Sequence, residues 1–90
     1  MRTLHLDKES GAMAVMTRLD AGAVIPAHYH SHADETVFVL EGELVEDGVA
    51  YPAGSFFRGA KGTVHGPHKT NTGCILLTYF SATLDFVMAE

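Results

Sequence analysis

Ninety residues, 47% of them hydrophobic, suit one small domain and argue against a disordered chain. The net charge of -5, with no run of lysine or arginine, lacks the basic footprint that nucleic-acid binding needs. A single cysteine rules out an internal disulfide and a thiolate-rich zinc site, and points to the reducing cytosol as the compartment.

The chain opens with Leu4 and Leu6 alternating with Thr3 and His5. Charges at Asp7, Lys8 and Glu9 then interrupt any signal-peptide core. No apolar run approaches the roughly 20 residues of a membrane span, so a cytoplasmic protein without membrane contact is expected. Met13, Val15, Thr17 and Leu19 alternate with smaller or polar neighbours until Asp20-Ala21-Gly22 turns the chain. Residues 36–40 form the strongest β run, closed by Glu41-Gly42. Leu44 and Val45 lead to Asp47-Gly48, a two-residue hairpin turn, from which residues 49–51 return. Pro52-Ala53-Gly54 turns again, residues 55–58 make a short strand, and residues 59–62 a loop. Gly66-Pro67 breaks the chain after His65, and Cys74–Phe80 is the last long β run.

Residues 81–90 alternate Leu84, Phe86 and Met88 as a strand would, with two turns of helix over 82–89 as the alternative. Strand is the preferred reading. Short β runs split by glycine-bearing turns, with almost no helical period, indicate an all-β sandwich or barrel. Without repeats or linkers, residues 1–90 read as a single domain.

Six histidines are many for this length, and their placement matters more than their number. His28-Tyr29-His30 is an H-x-H on extended backbone, which sends both imidazoles to one face and Tyr29 to the other. Glu35, at the mouth of the strongest strand, can return to that face after the turn through 31–34. His65, in a glycine-bounded turn, can reach across from another strand. Three imidazoles and a carboxylate suit Fe(II), Mn(II), Ni(II), Cu(II) or Zn(II). His30-Ser31-His32 is a rival H-x-H, but the spacings from Gly22 and to Glu35 favour the first pair. His5 reads as a surface or satisfied core residue. His68 is placed either to support the site with a hydrogen bond or to face solvent. Cys74, at the start of an apolar run, reads as packing rather than nucleophile.

Gly22, five residues, His28-Tyr29-His30, four residues, Glu35, six residues and Gly42 together resemble the first cupin motif at every defined position. Gly54, five residues, Ala60-Lys61-Gly62, two residues and His65 resemble the second. There Ala60 replaces the usual proline and Lys69 the usual asparagine, with Asn71 two residues later, so no ligand is assigned at 69 or 71. The strings at 38–43, 51–55, 62–65 and 73–74 are similar to one branch of the cupins. That branch holds the cupin lobe of zinc-dependent anti-sigma factors and the acetylacetone-cleaving dioxygenases.

The resemblance implies a double-stranded β-helix, a jelly-roll-like barrel. It also implies one divalent transition metal ion (Fe, Zn, Mn, Ni or Cu) held by His28, His30, Glu35 and His65 near one mouth. In the dioxygenases of the branch three histidines hold iron and the glutamate position can withdraw. Two functions therefore stay open. One is a dioxygenase acting on a small enolisable or dicarbonyl compound, with Val37, Val39, Phe57 and Leu76 as candidate pocket wall. The other is a metal- or ligand-binding lobe with a closed zinc shell, and the enzyme is favoured. A homodimer is expected through the apolar first strands around Leu4–Leu6 and 13–19, placed near a sheet edge.

Overall fold

A computed structural model describes residues 1–89. Ten strands account for the regular structure of these residues, without a helix. They are β1 (Arg2–Leu6), β2 (Met13–Leu19), β3 (Val24–Ile25), β4 (His28–Tyr29), β5 (Glu35–Glu46), β6 (Val49–Pro52), β7 (Phe56–Gly59), β8 (His68–Lys69), β9 (Cys74–Phe80) and β10 (Val87–Met88). All pairings are antiparallel, and an eight-stranded sheet runs β1-β2-β9-β5-β8-β3 with β6 and β7 also on β5. β4 and β10 pair separately. This is the double-stranded β-helix expected from the motifs. No helix among the described residues is long and apolar enough to cross a membrane.

β5 organises the barrel. Its first half lies between β7 and β9, and its second half pairs with β6 and β8. The sequence reading ended this strand at Glu41-Gly42, and that is corrected here: the strand continues to Glu46. Gly42 bends rather than stops it. Its φ is +76°, and a Cβ there would lie 2.0 Å from the Gly73 carbonyl oxygen, so only glycine lets β5 and β9 approach so closely. The register shifts between Val39 and Glu41, adding one residue to the strand. That extra residue changes which parity faces inward. Glu35, Val37 and Val39 face the interior before it, and Leu44 and Glu46 after it.

The interior is built from Val37, Val39, Leu44, Cys74 and Leu76, with a second cluster of Val15, Ala33 and Phe80. Full burial of such a side chain contributes about 1.5–3 kcal/mol. Burial pushes the Cys74 thiol up, against a hydrogen bond with Thr70, as suits a packing residue. The Asp47-Gly48 turn is as expected, with φ of +49° and +77°. One expectation needs correcting. Of the tail, only Val87–Met88 is strand, because that short piece finds β4 as its partner while 81–86 bend around the site; Glu90 lies outside the described residues. β1, exposed along its whole length, is an edge strand, and β2 lies beside it against β9, so the first strands are near a sheet edge as expected.

Candidate metal centre

Extended backbone at 28–30 turns His28 and His30 inward, where they are 4% and 1% exposed, while Tyr29 sits opposite Val87 of β10. The loop after β7 is laid along this segment by its backbone. Gly62 N–H donates to the His30 carbonyl at 2.8 Å, and His28 and His65 exchange N–H···O bonds of 3.0 and 2.9 Å. Asp34 fixes the same loop from the other side. It accepts the Lys61 N–H and the Arg58 guanidinium, each at 2.9 Å, and these bonds hold its carboxyl below the usual range. Gly59 leaves the room His65 needs, since a Cβ there would lie 2.7 Å from His65 Nδ1.

Ring centroids are 4.7 Å apart for His28–His65 and 5.0 Å for His28–His30 and His30–His65. His28 Nδ1 donates to the Pro26 carbonyl at 2.8 Å and His30 Nδ1 to the Asp85 carbonyl at 2.6 Å. Carbonyls only accept, so each Nδ1 carries the hydrogen and each Nε2 offers a lone pair. Glu35 Oε2 stands 2.9 Å from His30 Nε2 and 3.2 Å from His65 Nε2. Acceptors facing each other that closely require a proton or a cation between them.

His65 Nε2 is buried without a hydrogen-bond partner, as a ligand atom waiting for an ion would be. Burial first, and then the neighbouring His28, His30 and His68, push the His65 imidazole down to about 4, keeping it neutral and able to ligate in mild acid. Ligand atoms around one ion at about 2.0–2.2 Å sit about 3–3.5 Å apart. Here one ligand atom each from His28, His30, Glu35 and His65 falls within 4.8 Å of the others. The group fits a divalent transition metal, and the four residues expected from the sequence are the four brought together.

Other histidines separate cleanly. His32 and His5 are exposed and stand apart from the group. His68 is 7% exposed, so the solvent-facing alternative is corrected; its Nε2 lies 3.3 Å from Glu46 Oε1. Lys69 and Asn71 are exposed. Sequence reasoning missed Phe86, whose ring is 5.3 Å from His28 and 5.0 Å from His30, and Phe80, 5.3 Å from His30. It also missed Asp85, which orients His30 through its carbonyl and accepts the Ser31 N–H at 2.8 Å and the Ser31 hydroxyl through its carboxylate. The Asp85 carboxyl is held low by those serine bonds. No sequence pattern marks a backbone carbonyl brought from 55 residues away.

Two cavities meet at the group. The smaller, about 90 Å³, is apolar, with Val37, Leu44, Phe57 and Leu76 on its wall beside His28 and Glu35. The larger, about 400 Å³, shares Glu35, Val37 and Phe57 with it and adds Glu46, Arg58 and His65. Of the expected wall residues Val37, Phe57 and Leu76 line the smaller cavity, and Val37 and Phe57 the larger one as well. Val39 does not, being packed wholly within the core.

Comparison with known proteins agrees with this architecture. An RmlC-like cupin from Shewanella frigidimarina NCIMB 400 is 35% identical with a TM-score of 0.69, the match covering 79% of this chain and 66% of that one. An acetylacetone dioxygenase from Acinetobacter johnsonii superposes with a TM-score of 0.80 at 18% identity, over 98% of this chain. This chain spans only 61% of that enzyme's length. A conserved protein with a double-stranded β-helix domain from Klebsiella pneumoniae gives a TM-score of 0.77 at 22% identity, covering 100% of this chain and 84% of that one. No protein of curated function matches. Residues 1–83 match the ChrR cupin-like domain, and the chain belongs to that family of cupins.

Proposed function

We propose that this cupin is a metal-dependent enzyme of the Fe(II) dioxygenase type, acting on a small enolisable or dicarbonyl compound. The observation that carries the reading is the position of the His28, His30, Glu35 and His65 group beside a small apolar cavity and a second, larger one. When bound, the metal would supply Lewis acidity and open positions for dioxygen and a bidentate ligand. The three imidazoles would hold it, two of them oriented by the Pro26 and Asp85 carbonyls. Val37, Phe57 and Leu76 give the ligand an apolar bed and exclude water. Phe86 covers His28 and His30 from the side of the tail.

The second reading is a binding lobe with a closed zinc site. It is favoured by one feature: Glu35 Oε2 already lies within 3.2 Å of two Nε2 atoms, so four protein ligands could complete a tetrahedral shell. Elemental analysis of the purified protein, then oxygen uptake with Fe(II) and a panel of β-diketones, separates the two. Iron with uptake supports the enzyme. Stoichiometric zinc without uptake supports the lobe and rejects the enzyme.

The same proposal includes a homodimer formed through β1, whose Leu4 and Leu6 are 46% and 48% exposed on an unpaired edge. A monomer in sedimentation at high micromolar concentration would contradict that assembly.

A further inference from the structure

The proposed ligands leave one buried polar pair unused. His68 and Glu46 are directly opposed across β5 and β8, and His68 Nε2 lies 3.3 Å from Glu46 Oε1. The same oxygen accepts the Gly66 N–H at 3.3 Å. One carboxylate oxygen thus holds residues 66 and 68, the first and third positions beyond His65, where the loop enters β8. On its other side that loop is held by the His28–His65 backbone exchange. The His68 ring is also packed beside two proposed ligand rings, 5.9 Å from His28 and 5.7 Å from His65.

Glu46 reaches this place because of the irregularity in β5. Residues 35 and 46 differ by an odd number, so on a regular strand their side chains would face opposite sides. The extra residue between Val39 and Glu41 removes that mismatch. Both ends of one strand then deliver a carboxylate to the histidine cluster, Glu35 to His30 and His65, and Glu46 to His68 and Gly66. Glu46 is largely buried, where an unpaired carboxylate would be costly, so these two donors are its recompense for leaving water.

We propose that Glu46 is a positioning residue for the metal: acting through Gly66 and His68, it sets the position of His65 without touching the ion. This rests on His65 being a ligand. A group that orients a ligand from behind typically changes metal affinity about 10–100-fold when removed.

The test is a Co(II) titration of the metal-free protein, followed by the visible absorption bands, which report coordination geometry. Wild type is expected to bind one Co(II), and His65→Ala to lose saturable binding. If wild type fails to bind, or His65→Ala binds normally, the ligand assignment itself falls and this proposal with it. Given those two results, Glu46→Ala should bind about 10–100-fold more weakly, with altered bands. Glu46→Gln keeps an acceptor oxygen for both N–H groups and should bind close to wild type with unchanged bands. Wild-type affinity and spectrum in Glu46→Ala would overturn the proposal, and so would a loss in Glu46→Gln as large as in Glu46→Ala. Should Glu46→Ala not fold, Glu46→Asp carries the test. Its carboxylate is one methylene shorter and should weaken binding and shift the bands, and unchanged binding there would equally overturn the idea.

Discussion

The two halves of this barrel are built by different means. One is β2, β9 and the first part of β5, long strands paired over seven residues between β2 and β9. Its inward side chains are mostly Val, Leu, Phe and Cys, joined by Thr78, and it is held by repetition: the ladder extends along the strands and every second residue adds an inward side chain. The other half is built from strands of two residues, β4, β8 and β10, with His28 on β4, His68 on β8, and His30 and His65 on the connecting segments. It is held by single contacts: the Asp34 bonds to Lys61 and Arg58, the carbonyls of Pro26 and Asp85, and the Glu46 oxygen. A regular ladder suits stability because no single residue decides it. A site needs side chains at fixed points, and here each point has its own contact.

Substitutions should break the two halves differently. The largest effect is expected from His65→Ala, which removes one of the three imidazoles of the group and should abolish metal binding. The same change should cost the apo-protein less than a core truncation does, since the His65 Nε2 makes no hydrogen bond. Leu44→Ala is the converse. Leu44 is 1% exposed, and its truncation should cost about 2–5 kcal/mol in chemical denaturation. Any folded fraction should still take up metal.

Gly59→Ala tests the join between the halves. The new Cβ would meet His65 Nδ1 at 2.7 Å, so the imidazole must shift. Metal affinity should fall clearly, with a stability cost of about 1–3 kcal/mol from overpacking. Equal metal affinity in Gly59→Ala and wild type would show that His65 has more freedom than its surroundings suggest.

The smallest effect is on pH. His65 is held at about 4 in the folded chain against 6.5 for the free side chain. Between those values the unfolded chain binds a proton that the folded one does not. Apo-protein stability should therefore be full above about pH 6.5, fall by several degrees in melting midpoint as pH drops toward 4, and level off below, as far as this group decides it. His65→Ala should flatten that slope.

Much of the fold was legible because its signals are local. The apolar β run at Cys74–Phe80, the Asp47-Gly48 turn and the H-x-H each follow from side-chain pattern or turn chemistry within a few residues. The ligand group was legible for the same reason on one side, His28 to Glu35, and through the family motif on the other, His65. Glu41-Gly42 misled because a glycine that ends a strand and one that bends it look the same in sequence. The difference is the Gly73 carbonyl, which approaches from β9. Phe86, Asp85 and the His68–Glu46 pair were illegible because each depends on a distant chain segment returning to the cluster. Val39 was misassigned to the cavity wall because the inward face of β5 serves both the core and the site.

The central claim is that His28, His30 and His65, with Glu35, surround one metal ion on the histidine-bearing half. X-ray absorption at the metal edge of the loaded protein tests it most directly. The expected result is one bound ion per chain with three imidazoles in its first coordination shell. An ion with one imidazole or none, or an ion retained unchanged in His65→Ala, would contradict the account.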